Sequence, residues 1–153
     1  MGVQTVAGAI VSISASTPAT FDAAGYAALT VTAIGEISDA GQHGRVYNVV
    51  THNPIGSRGT QKYKGSFNEG QKVLTVGIDD NDAGQTIAIA ALDSDNDYSF
   101  KVAYQDGSSD FFQAKVVGFQ KSMTGVDTML TATLTLEITT SAAGVGIVHV
   151  DAP

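Results

Sequence analysis

The sequence predicts a mainly β, antiparallel fold flanked by one α-helix. Three observations carry this. Several segments alternate apolar and polar residues with period two. Turn signals such as Asn53-Pro54 and Asp106-Gly107 separate them. A single stretch, DDNDAGQTIAIAAL (79–92), places good helix formers behind an acidic cap. At 153 residues the chain reads as one domain, 1–153, able to bury roughly 70% of its unfolded surface.

The elements follow in order. MGVQTVAGAIVSISAS (1–16) is an N-terminal arm running into a first strand, and TPATFDAAGYAALT (17–30) holds a helical turn near 22–28 before TVTAIGEI resumes as a strand. RVYNVV and TQKYKGSF are weaker strands on either side of a loop from Asn53 to Gly59. KVLTVGI turns Leu74, Val76 and Ile78 inward, and a helix is expected from about Asn81 to Leu92. In YSFKVAYQ, Tyr98, Phe100, Val102 and Tyr104 share one side, and Asp106-Gly107 then turns the chain into DFFQAKVVGF. The clearest alternation is DTMLTATLTLEITT: Leu130, Ala132, Leu134, Leu136 and Ile138 face one way, Thr131, Thr133, Thr135, Glu137 and Thr139 the other. The expected core contains Leu74, Val76, Phe100, Val102, Leu134 and Leu136. Residues 140–153 form a C-terminal arm without a core pattern of their own. Hairpins dominate, so the sheets should be antiparallel.

Composition narrows the function. The chain has no Cys, hence no disulfide and no thiolate metal site. Its apolar N-terminal run is broken by Ser and Gly with no basic residue ahead, so neither a secretory signal nor a membrane span is expected. His43, His52 and His149 fit no metal or catalytic spacing, GSRG (56–59) is no nucleophile elbow, and no phosphate-binding glycine motif occurs. DSDND (93–97) imitates the start of a calcium loop but continues to Tyr98 and Tyr104 where Gly and Glu are required, so it reads as a helix-to-strand turn. DDND reads as a helix cap. No catalytic residue, metal or cofactor is expected. Charged residues make up 15% of the chain against a usual share of about 25%, which suggests that much of the surface meets other protein.

Charge is unevenly placed. Arg45, Arg58, Lys62, Lys64 and Lys72 against Glu69 give residues 41–75 a charge of +4, while the whole chain stands at -7. Within THNPIGSRGTQKYKGSF (51–67), Arg58, Lys62 and Lys64 have no acid among them. Charge alone allows three readings: a solvated hairpin, a nucleic-acid arm, or an arm that docks on an acidic face of another copy. Nucleic acid fits poorly, because the acidic protein lacks a basic face studded with aromatics. Docking accounts for both poles.

Four segments, in this order, resemble the major tail tube protein of long-tailed, non-contractile bacteriophages: TPATFDAAGYAALTVTAIGEISD, YNVVTHNPIGSRGTQKYKGSF, DDNDAGQTIAIAALDSD and FFQAKVVGFQKSMTGVDTMLTATLTLEIT, together spanning about 17–139. The resemblance implies an antiparallel β-sandwich or partly rolled barrel flanked by one helix, with a long hairpin loop and extended arms. It implies hexameric rings that stack into a hollow tube in the virion tail, assembled in the host cytoplasm. Its partners would be other copies and tail proteins such as the tape measure, tail tip and terminator. Genomic DNA would pass through the lumen without specific binding, and no membrane would be involved. The 153-residue chain leaves no length for the extra immunoglobulin-like domain of some relatives, so surface decoration is not expected.

On this reading the inter-ring interface joins Asn53, Pro54, Arg58, Lys62 and Lys64 to acids of the next ring, either Asp79, Asp80 and Asp82 or Asp93, Asp95 and Asp97. Thr131, Thr133, Thr135 and Glu137 are expected to face the lumen, where a polar, acid-biased wall would repel phosphate. The arms, Met1 to Ala7 and Ser141 to Pro153, are expected to lie on neighbouring subunits with little contact to their own core. The alternative is a monomeric β-sandwich that binds a receptor or carbohydrate. The absence of Trp argues against a sugar platform.

Overall fold

The computed structural model describes residues 2–153; Met1, counted above in the N-terminal arm, lies outside the described residues. The chain runs β1 (Ile10–Ser14), α1 (Ala23–Ala27), β2 (Thr32–Ala33), β3 (Ile37–Asp39), β4 (Val46–His52), β5 (Gln61–Asn68), β6 (Gln71–Gly77), α2 (Ala83–Leu92), β7 (Tyr98–Ala103), β8 (Ser109–Ser122), β9 (Thr131–Thr139) and β10 (Val148–Val150). An antiparallel sheet of order β2-β1-β7-β8-β9-β6-β3, with β10 added to β8, curls into a half-barrel. The mainly β, partly rolled architecture with a flanking helix is as expected. A second sheet contains only β4 and β5.

Period-two alternation produces the core. In β9, Ala132, Leu134, Leu136 and Ile138 are buried while the threonines between them are half-buried on the other face. Leu74, Val76, Phe100 and Val102 are buried with them, so the expected register holds. Leu130 departs from the expectation: it precedes β9 and is exposed, because the β8–β9 loop ends one residue later than the alternation suggested.

Helix α2 covers the inner face through Ala88 and Ala91. Asp82 caps it by accepting from Gln85 N at 2.9 Å, and also accepts from Gly35 N at 3.1 Å. The approach to the β2–β3 segment is tight enough to require glycine, since a Cβ on Gly84 would meet Ala33 O at 2.2 Å. At the helix end, 93–97 forms the expected turn into β7. The helical turn near 22–28 is α1, capped by Asp22, with Tyr26 buried against Phe111.

The C-terminal arm overturns its expectation. Val148–Val150 pair with Phe111–Ser109 of the same chain, Ile147 packs against the core, and Ile147 N donates to Glu69 Oε2 at 2.8 Å. Three residues are too few to show a period, and the anchors that hold them lie tens of residues away. At the other end residues 2–8 are exposed, with Gln4 Oε1 accepting from Asp106 N.

Candidate functional site

β4 and β5 form a two-stranded ribbon standing apart from the half-barrel. Its pairing runs from Val46↔Asn68 to His52↔Gln61, with an irregularity between Tyr47 and Val49. Val46, Val49, Val50 and Tyr63 are exposed, and Ile55 at the tip is 106% exposed. Three valines and a threonine favour a strand in β4, and Tyr63 and Phe67 do so in β5, yet neither face of the ribbon has a partner within the described chain. Isolated two-stranded ribbons are marginal in water. The cross-strand contacts present are modest: Lys64 Nζ lies 4.9 Å from the Tyr47 ring centroid, Tyr47 and Phe67 pack at 5.5 Å, and Asn48 Nδ2 donates to Ser66 Oγ.

The basic residues predicted for an interface, Arg58, Lys62 and Lys64, all lie on this ribbon and its loop, and all are exposed. Asn53 and Pro54 open the loop, where Pro54 O accepts from Ser57 N. Arg45 differs: its guanidinium stacks 3.9 Å from Phe67 and donates from Nε to Glu69 Oε1 at 2.6 Å, so its charge is spent at the ribbon's root.

The predicted acids divide. Asp79 and Asp80 are exposed just beyond β6. Asp82 is committed to its cap and to Gly35. Asp97 pairs with Lys115, and Asp93 closes the helix end, while Asp95 is exposed. Thr131, Thr133 and Thr135 lie together on the outer face of the sheet beside Thr75 and Val73 of β6 and Gln120 and Gly118 of β8. Glu137 lies between Gln71 and Lys115 and accepts from Gln71 Nε2 at 2.5 Å. The ribbon and the Thr face thus stand on separate parts of the molecule.

A partly buried polar cluster at the ribbon's root was not foreseen. Lys72 is 2% exposed inside the core, and its Nζ donates to His43 Nδ1 at 3.0 Å. The His43 proton therefore sits on Nε2, which donates to Asp110 Oδ2 at 2.8 Å. Tyr104 Oη donates to the same oxygen at 2.5 Å, and His149 Nδ1 donates to Asp110 Oδ1 at 2.6 Å. Burial opposes ionisation of Asp110, but the hydrogen bonds from His43, Tyr104 and His149 outweigh it and hold the carboxyl well below the ordinary range. Burial lowers the Lys72 pKa, opposed by Asp110 and Asp39. The Asp110 hydrogen bond raises that of His149, whose other nitrogen lies 3.2 Å from Asp151. One signal was readable: Lys72 occupies the same alternating side of β6 as Leu74 and Val76, a charge at an inward position.

A groove of about 1320 Å³ opens beside this cluster, between residues 4–11 and 33–45, with Glu69, Lys72, Val102 and Tyr104 at its base. No grouping of His, Asp and Glu among the described residues could hold a metal ion. No described helix is long and apolar enough to cross a membrane.

No protein-family model matches the chain, and no curated protein matches it in sequence. Solved structures do match in fold. A chain from the six-fold symmetrised cryo-EM structure of the anti-feeding prophage baseplate superposes with a TM-score of 0.65 at 14% identity, covering 91% of this chain and 94% of that one. A chain from the extended-state sheath/tube terminator of an extracellular contractile injection system (PVC) gives 0.69 at 9% identity, covering 99% of both. At such identities the likeness is one of fold.

Proposed function

We propose that this protein is a structural subunit of a phage-type tail, assembling into six-membered rings that stack as a hollow tube for DNA delivery. The single observation that carries the reading is the β4–β5 ribbon, a basic, partly apolar arm exposed on both faces. Such an arm gains its missing contacts from another subunit. The short edge strands β2 and β3 suit ring closure, since joining sheets between neighbours removes unpaired edges. A closed ring leaves a second contact free to repeat along the axis.

The shared fold supports a tail-assembly role, and the six-fold symmetry of the prophage baseplate structure supports the ring number. The four ordered segments favour the tube of a non-contractile tail, although one of the fold matches comes from a contractile injection system. The Thr131, Thr133, Thr135 and Glu137 face is the proposed lumen wall: polar, without a cluster of cations, and unsuited to holding phosphate. The tape measure, tail tip and terminator are the partners expected at the ends of such a tube. The groove is the feature a monomeric binding module would use, but Asp110 and Glu69 are already satisfied within the chain. Negative-stain microscopy of the purified protein tests the reading. Rings about a central hole, or tubes, are expected; monodisperse single subunits at high concentration would refute it.

A further inference from the structure

The loop from Met123 to Leu130, between β8 and β9, presents apolar side chains to solvent at the far end of the half-barrel. Met123 is 82% exposed, Val126 101% and Met129 80%. The loop is nevertheless shaped: Thr128 Oγ1 donates to Gly125 O at 2.8 Å and accepts from Gly125 N at 3.1 Å, and Thr124 and Thr128 join through their hydroxyls. Around this turn the loop forms a shallow, open concavity of about 300 Å³ lined by its own residues. Ile78 N donates to Leu130 O at 3.2 Å, which sets the exposed Asp79 and Asp80 beside the loop, and Asp127 lies within it. The result is an apolar hollow with an acidic rim.

The ribbon tip is its complement. Ile55 projects fully, followed by Arg58 and Lys62, with no acid from 46 to 68. The two features lie at opposite ends of one strand pair. The ribbon leaves beside Gln71↔Glu137, the loop beside Gly77↔Thr131, and a strand of this length separates them by about 20 Å. Covering both therefore takes a second copy, in a head-to-tail contact that repeats.

We infer that the β8–β9 loop is the receptor for the ribbon tip of a second copy, with Ile55 seated in the hollow and Arg58 and Lys62 against Asp79, Asp80 and Asp127. The inference rests on the stacked-assembly reading and names its axial contact. Methionines suit such a seat because their side chains adapt to the surface they meet. Of the two acidic clusters, 93–97 is the poorer partner, since Asp97 is tied to Lys115 and Asp93 closes the end of α2.

The chain has no cysteine, which makes a two-variant cross-link clean. Differently tagged Ile55→Cys and Val126→Cys proteins are mixed, assembled, imaged and oxidised, because a disulfide forms only where Cα atoms approach to about 4.4–6.8 Å. The expected result is a covalent species carrying both tags, absent when Asp95→Cys replaces Val126→Cys. Assemblies that form without this species, or that link Ile55→Cys to Asp95→Cys, overturn the receptor assignment while the stacked-assembly reading stands. Absence of any assembly from wild-type protein sinks both. In a second measurement Val126→Asp, at a fully exposed position, leaves thermal unfolding unchanged and raises the concentration needed for assembly about tenfold or more; an unchanged threshold contradicts the assignment.

Discussion

β6–β9 and β4–β5 are both antiparallel pairs of strands seven to nine residues long, and they live in opposite environments. β6 and β9 alternate buried residues with half-buried or exposed ones over a helix-covered core. β4 and β5 carry valines and tyrosines on a ribbon exposed on both faces. Strand propensity is common to both pairs; an internal partner is not. β-Propensity measures fit to a pleated, half-buried surface, so β-branched residues without a covering layer point to a surface supplied from outside the chain.

The widest contrast is expected from single truncations. Leu134→Ala should cost about 2–5 kcal/mol in denaturant unfolding, whereas Val50→Ala on the ribbon should stay within about 0.5 kcal/mol. Equal losses at the two sites would erase the distinction between core and arm.

Next in size is the C-terminal segment. Deleting 141–153 removes β10 and strips Glu69 and Asp110 of hydrogen-bond donors, and the buried Glu69 carboxylate so affected costs about 1–3 kcal/mol. The thermal midpoint should fall by several degrees, while replacing 53–59 with a two-residue turn should leave it nearly unchanged. An unaltered midpoint after the C-terminal deletion would return those residues to the role of a free arm.

Smaller per contact is the charge term. Reversing Arg58, Lys62 and Lys64 to Glu should leave a folded monomer that does not assemble, and reversing Asp79, Asp80 and Asp127 to Lys in the same chain should partly restore assembly. Each exposed pair contributes about 0–1 kcal/mol, so in the proposed rings the effect depends on repetition. It should weaken with salt, because screening acts over about 8 Å at physiological ionic strength. Normal assembly of the triple variant would make the stretch a solvated hairpin.

The smallest effect concerns pH. His149 has a raised pKa in the folded chain, so its stabilisation of β10 is complete below its unfolded pKa of about 6.5 and fades as pH rises through the folded value. Exchange protection factors for the Val148–Val150 amides should decline over that window, and His149→Ala should flatten the decline. Asp110, with a lowered pKa, acts with the opposite sign: its contribution is present above about 3.9 and is lost on further acidification.

What could be read in advance was whatever repeats locally. The alternation of β9, an acidic cap drawn from 79–82 and the turn at 93–97 depend on neighbours in sequence, and the structure bears them out, with Asp82 as the cap and α2 starting two residues later than expected. β10 could not be read, because three residues show no period and its anchors, Glu69 and Asp110, are 78 and 39 residues from the groups they bind. The same holds for the polar cluster: His43 and His149 are far apart in sequence yet meet on one carboxylate. Of the predicted interface residues, Asp82 and Asp97 proved to be occupied within the chain, a loss that residue type alone cannot signal.

The central claim is that the ribbon finds its partner in another subunit, and amide hydrogen exchange of Val46–Asn68 in dispersed and assembled protein tests it most directly. Fast exchange is expected along β4 and β5 in the dispersed chain and strong protection on assembly, with the β6 and β9 amides slow in both states. Ribbon amides that remain fast in assembled protein, or that are already as slow as β9 in the dispersed chain, would contradict it.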